Sequence, residues 1–86
     1  MLNIIYAPVF VRQYKKLDED LKKEVKEKIE LFKNKNNHGS LNVHKLHGKL
    51  KDKNGFYINY KIRIVFVWMN NTDAALLSVG SHDVYK

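Results

Sequence analysis

From Phe56 to Trp68 every second residue is large and apolar: Phe56, Ile58, Tyr60, Ile62, Ile64, Phe66 and Trp68. The positions between them hold Tyr57, Asn59, Lys61 and Arg63, then turn apolar at Val65, Val67 and Met69. A period of two with aromatic and β-branched residues predicts strand, with one face for a core and one mixed face. Asn59 to Lys61 is where this region is expected to bend or turn. A three-residue connection there keeps the parity, which a two-residue hairpin does not. Asn70-Asn71-Thr72-Asp73 supplies turn chemistry, and Ala74 to Val79 reads as a further apolar strand. The chain then runs out through Gly80-Ser81-His82-Asp83-Val84-Tyr85-Lys86, polar and reactive in composition.

Upstream the period changes. Leu2 to Tyr6 is a short β-branched and apolar run, an opening strand. Pro8 suits a first helical turn, and Phe10, Tyr14 and Leu17 follow at helical spacing, so a short helix covers 8–16. Asp18 is an expected N-cap, and Leu21, Val25, Ile29 and Phe32 form the stripe of a second helix, with Leu31 beside it. Asp18–Lys22, Glu19–Lys23 and Glu24–Lys28 are acid-before-base pairs four apart. The run 34–40 ends the helix, with Gly39 at a left-handed or turn position and His38 in solvent. Leu41, Val43, Leu46 and Leu50 anchor 41–54 as a loop, while His44, Lys45, His47, Lys49, Lys51 and Lys53 face out.

The expectation is therefore one domain over 1–86, of α+β class. A small, mostly antiparallel sheet in the order strand-helix-helix-strand-strand-strand carries two N-terminal helices on one face. With 86 residues the core is modest. The absence of cysteine fits a reducing, cytoplasmic setting, and no apolar run approaches the roughly 20 residues of a membrane span. Net charge is +7, from 16 basic and nine acidic side chains, and the excess lies in residues 33–63, where eight basic residues face only Asp52. A localised basic region is the footprint expected for phosphate, although a lysine-rich surface or an acidic protein partner accounts for it equally.

Taken in order, these segments resemble the RelE/ParE superfamily of toxins from bacterial type II toxin–antitoxin systems. The resemblance rests on the opening strand, the helix pair with Lys15-Lys16-Leu17, and Lys45-Leu46-His47-Gly48-Lys49-Leu50. It continues through Gly55-Phe56-Tyr57, Ile62-Arg63-Ile64-Val65-Phe66 and Val79-Gly80-Ser81-His82-Asp83-Val84-Tyr85. The tail looks most like RelE-type and YafQ-like mRNA interferases. The resemblance implies a ribosome-dependent mRNA endonuclease that inhibits translation, in which a 2′-hydroxyl attacks the adjacent phosphate. Its partners would be a cognate antitoxin, the ribosome and mRNA, with no membrane, and a monomer or weak dimer when free. No metal and no cofactor is implied.

On that resemblance the catalytic candidates are His82, Arg63, Tyr85 and His47. His82 would carry a proton as base or acid, and Arg63 would grip phosphate oxygens. Tyr85 would stack on a base or bond the phosphate. His44 and His47 match the region where YafQ-like toxins hold a catalytic histidine. Lys45, Lys49, Lys51, Lys53, Lys61 and His44 are the RNA-binding candidates. The sequence departs from the family at Tyr57-Ile58-Asn59-Tyr60, where many members carry a further cation. Two alternatives stand beside this reading: a ParE-like, non-enzymatic inhibitor of DNA gyrase, and a catalytically degenerate RNA-binding homologue.

Overall fold

The structure, a computed structural model, describes residues 1–81. Strand β1 (Asn3–Tyr6) leads into helices α1 (Pro8–Lys15) and α2 (Glu19–Phe32). Four strands follow: β2 (His44–Lys45), β3 (Asn54–Tyr57), β4 (Arg63–Trp68) and β5 (Asp73–Gly80). All join one sheet in the order β1-β5-β4-β3-β2, antiparallel throughout except for the parallel pair β1 and β5. The expected α+β order holds. The addition is β2, inside the segment read as loop, where His44 and Lys45 pair with Gly55 and Asn54. Two residues are too few to show a period.

Helix α2 begins as its sequence dictates, with the Asp18 carboxylate accepting the Leu21 N–H at 2.8 Å and Glu19 and Asp20 in the first turn. Its ion pairs are spaced differently from expectation, three apart instead of four: Glu19 with Lys22 at 3.5 Å and Glu30 with Lys33 at 2.6 Å. The reason is competition. Asp18 is occupied by capping, and the Glu24 carboxylate accepts the Asn59 amide at 2.8 Å.

The helices lay Phe10, Val25, Ile29 and Phe32 on the sheet face made by Phe56, Ile64, Phe66, Ala74 and Leu76. Phe32 is the hub, its ring 4.4 Å from Phe56 and 4.8 Å from Phe66, centroid to centroid. His38, expected in solvent, belongs to this column: it stacks on Phe32 at 4.7 Å and bonds the Phe32 carbonyl through Nε2 at 2.8 Å. An imidazole beside an aromatic core, with a polar partner supplied by the helix end, is well placed there. Gly39 lies in the turn, while among the described residues the left-handed ones are Asn42 (φ 56°) and Gly48 (φ 70°).

The long alternating stretch turns where expected. Ile58 N–H donates to the Ile62 carbonyl at 2.8 Å, leaving 59–61 as a three-residue connection. The Asn59 side chain closes it by accepting from the Lys61 and Ile62 N–H groups. Asn59 therefore belongs to the turn and to α2 and not to the open mixed face, and Tyr60 at the tip is 85% exposed.

Between β4 and β5 the register slips by one residue: Phe66 faces Leu76, whereas Val65 faces Ser78. Leu77 is the extra residue of a β-bulge. An unbroken ladder would put Ser78 against Ile64 in the core and turn Val79 out. The bulge buries Val79 instead and sets Gly80 opposite Arg63. Strand β1 stops opposite Leu76, and beyond it the Val79 N–H is taken by the Gln13 side chain of α1 at 2.8 Å.

Candidate functional site

The sheet face away from the helices carries the odd-numbered residues of β3 and β4, and at one end of it three side chains stack. Arg63 opens β4 directly across from Tyr57, the last residue of β3. Its guanidinium carbon stands 4.7 Å from the centre of the Tyr57 ring, a cation–π contact. Against Tyr57 lies the ring of His44, from β2, at 5.6 Å and nearly parallel (21°). Arg63 and His44 are partly buried, and on the other flank of Arg63 stands Gly80, with no side chain.

The orientation of His44 is set locally. Its Nδ1 lies 2.7 Å from the Asn42 carbonyl, and a carbonyl only accepts, so Nδ1 bears the proton. In the neutral ring Nε2 is then the acceptor. Asn42 presents that carbonyl from its left-handed conformation, which asparagine adopts more readily than most residues. Among the described residues no cluster of metal-binding side chains occurs.

His47 does not join this group. It is exposed and precedes the 3-10 turn Gly48–Leu50 without a side-chain cap bond to it. The hairpin register carries it the other way: His44 pairs with Gly55 and Lys45 with Asn54, so His47 lies beyond the turn end of β3 while Tyr57 closes the far end. Lys45, Lys49 and Lys51 are exposed around it on the β2 edge of the sheet, and Lys53 contacts Asp52 at 3.4 Å. That contact, after an N–H of its own backbone, holds the Asp52 carboxyl below its ordinary range. Lys61 is elsewhere: it lines a hollow shared with Asp20, Glu24 and Glu27, where its field is opposed. His82 and Tyr85 lie outside the described residues. They follow Ser81, the residue after β5, and β5 ends beside Arg63.

The residues by themselves assign Tyr57 no part in this site and leave it on the open face. The missing information is the pairing register, since Tyr57, Arg63 and His44 are adjacent only once β2, β3 and β4 are aligned.

No family model and no curated protein matches the sequence. Solved structures do match in shape. Over 98% of this chain and 97% of that one, the fold superposes on YafQ from Escherichia coli with a TM-score of 0.74 at 14% identity. The toxin–antitoxin complex YoeB–YefM from Staphylococcus aureus gives 0.72 at 23% identity, covering 95% and 98%. The E. coli DinJ–YafQ toxin–antitoxin complex gives 0.72 at 16%, covering 96% and 94%. The fold is the one these toxin structures share, and the resemblance read from the residues holds at the level of fold across nearly the whole chain.

Proposed function

We propose that this chain is the toxin of a type II toxin–antitoxin pair and a ribosome-dependent endoribonuclease that cleaves mRNA. The observation that carries the reading is the His44–Tyr57–Arg63 stack on the sheet face away from the helices, at the end where β5 finishes beside Arg63. Cleavage by a neighbouring 2′-hydroxyl needs a base at that hydroxyl, an acid at the leaving 5′ oxygen and positive charge at the phosphate. Arg63, held over Tyr57, supplies positive charge to the non-bridging oxygens. His44 Nε2 accepts the 2′-hydroxyl proton as the new P–O bond forms, and His82 donates to the 5′ oxygen as the old bond breaks. Tyr85 stacks on a flanking base. His47, with Lys45, Lys49, Lys51 and Lys53, grips backbone phosphate on the hairpin edge, and Lys61 adds little from its acidic surroundings. The partner that restrains the chain is an antitoxin covering the same open face and basic edge, as an antitoxin accompanies the YoeB and YafQ folds.

The test is primer extension on a reporter mRNA in reconstituted translation. Wild type should give new 5′ ends within A-site codons, only with ribosomes present. His44→Ala and His82→Ala should each lower the rate by about 10²–10⁴-fold, and Arg63→Ala by about 10²–10³-fold. Cleavage surviving both histidine variants moves the proton transfer to His47. No cleavage by wild type overturns the enzyme reading, and relaxed plasmid accumulating in a gyrase supercoiling assay then identifies the ParE-like alternative.

A further inference from the structure

At the opposite end of β4 stands the chain's one tryptophan, and neither the fold nor the proposed chemistry fully uses it. Trp68 closes β4 and packs one side on the core, edge-on to Phe66 at 5.3 Å and tilted to His38 at 5.9 Å. It nevertheless remains 38% exposed. Over it, 5.6 Å from the ring centre, stands the Lys35 ammonium, anchored by a 2.8 Å hydrogen bond to the Asn71 carbonyl. Together with Asn70 and Asn71 these side chains line a surface groove of about 380 Å³, within the size range of small-ligand sites. A second groove, of about 420 Å³, continues from Lys35 and Asn71 past Asn34 and Thr72.

Among the described residues, neither groove has a carboxylate side chain in its lining. The acids that stand near them are committed: Asp73 accepts from Asn70, Asn3 and Thr72, and Glu30 pairs with Lys33. What remains is the exposed part of the indole beside the Lys35 ammonium, two N–H groups of that ammonium beyond its anchor, the Asn71 carboxamide, and amide N–H groups of Asn34 and Asn70, whose side-chain oxygens already accept within their own turns. A planar aromatic ring stacks on indole, a phosphate accepts from ammonium, and a base edge both donates to and accepts from carboxamides. A peptide backbone also pairs with carboxamides; the flat indole beside an ammonium is what favours a base together with its phosphate.

We propose that Trp68, Lys35 and the asparagines around them form a second RNA contact, stacking one unpaired nucleobase on the indole and holding its phosphate on Lys35. The inference rests on the reading of this chain as an RNA-acting protein. The contact is distinct from the cleavage site: Trp68 and Arg63 lie five residues apart on β4, about 16 Å along it, on opposite sheet faces. It binds and does not cleave.

Because Trp68 is the sole tryptophan, its fluorescence reports the site directly. The probe is a short single-stranded oligouridylate, against an abasic ribose-phosphate oligomer of equal length, with binding followed in parallel by anisotropy of the labelled oligomers. Oligouridylate should quench Trp68 over the concentrations at which it binds, and the abasic oligomer should not. Lys35→Ala should raise half-saturation about fivefold while the melting temperature stays within a few degrees. Arg63→Ala should leave the quench intact, and wild type that quenches without cleaving in the translation assay sinks the cleavage reading and spares this site. Oligouridylate bound without quench, equal quench by the abasic oligomer, or no RNA binding at all would each overturn the proposal.

Discussion

Single side chains decide more than one loop in this molecule. Asn42 holds a left-handed turn and, through its carbonyl, the tautomer of His44. Asn42→Val should cost about 1–3 kcal/mol of stability, because a β-branched residue resists positive φ, and Asn42→Gly should cost much less; urea unfolding separates them. Asp18→Ala removes the cap on Leu21 and should cost about 1 kcal/mol with RNA cleavage unchanged. Asp73 controls a pH dependence. Hydrogen bonds from Asn70 first, then Asn3, hold its carboxyl below the ordinary 3.8. A folded-state pKa below the unfolded one stabilises the fold above the unfolded pKa, and that increment is lost as pH falls through the folded value. Asp73→Asn should therefore flatten the acid side of the stability profile below about pH 4 and leave its shape near pH 7 unchanged, as read from urea midpoints at pH 3 and 7.

At the scale of elements, the bulge in β5 assigns neighbours to opposite environments. Val79 is buried, so Val79→Ala should cost about 2 kcal/mol, whereas Ser78→Ala should stay within about 0.5 kcal/mol. An unbroken ladder demands the reverse, with Ser78 inside. Gln13 ties α1 to that same stretch by accepting the Val79 N–H. Gln13→Leu leaves the partly buried donor without its partner and should cost about 1–3 kcal/mol. The same change loosens the strand end that meets Arg63, so cleavage should fall while the Arg63 surroundings are otherwise untouched; parallel unfolding and cleavage measurements resolve the two effects.

For the whole molecule, helices cover one sheet face and leave the other to the stack of His44, Tyr57 and Arg63, with the lysine-rich hairpin at its edge. Charge is unevenly spread: Lys45, Lys49 and Lys51 stand together on that edge, while Lys61 faces acids from α2. RNA affinity should therefore weaken with salt. Replacing Lys45, Lys49 and Lys51 by Ala together should flatten the log–log salt slope by about two, roughly 0.7 for each phosphate no longer neutralised. Lys61→Ala should barely change it. Affinities measured between about 50 and 200 mM salt, concentrations over which such charge pairing is most telling, check both.

Much of this architecture follows from local chemistry that any reader of the chain can follow. Alternation over 56–68, the Asp18 cap, the α2 stripe and the turn at Asn59 each arise from neighbours in sequence, so they are visible there. The class of fold follows, because two apolar helix stripes must cover one apolar sheet face. What the sequence could not carry is register and long-range pairing. Two-residue β2 has no period to read, and nothing before Leu77 announces a bulge. His38 looks solvated until Phe32 and Trp68 come beside it. His44 and His47 are equivalent three residues apart on paper. Only the alignment of β2 against β3 lays one ring on Tyr57 and carries the other beyond the opposite end of β3, because strand pairing converts sequence separation into distance with a sign that the chain alone does not specify.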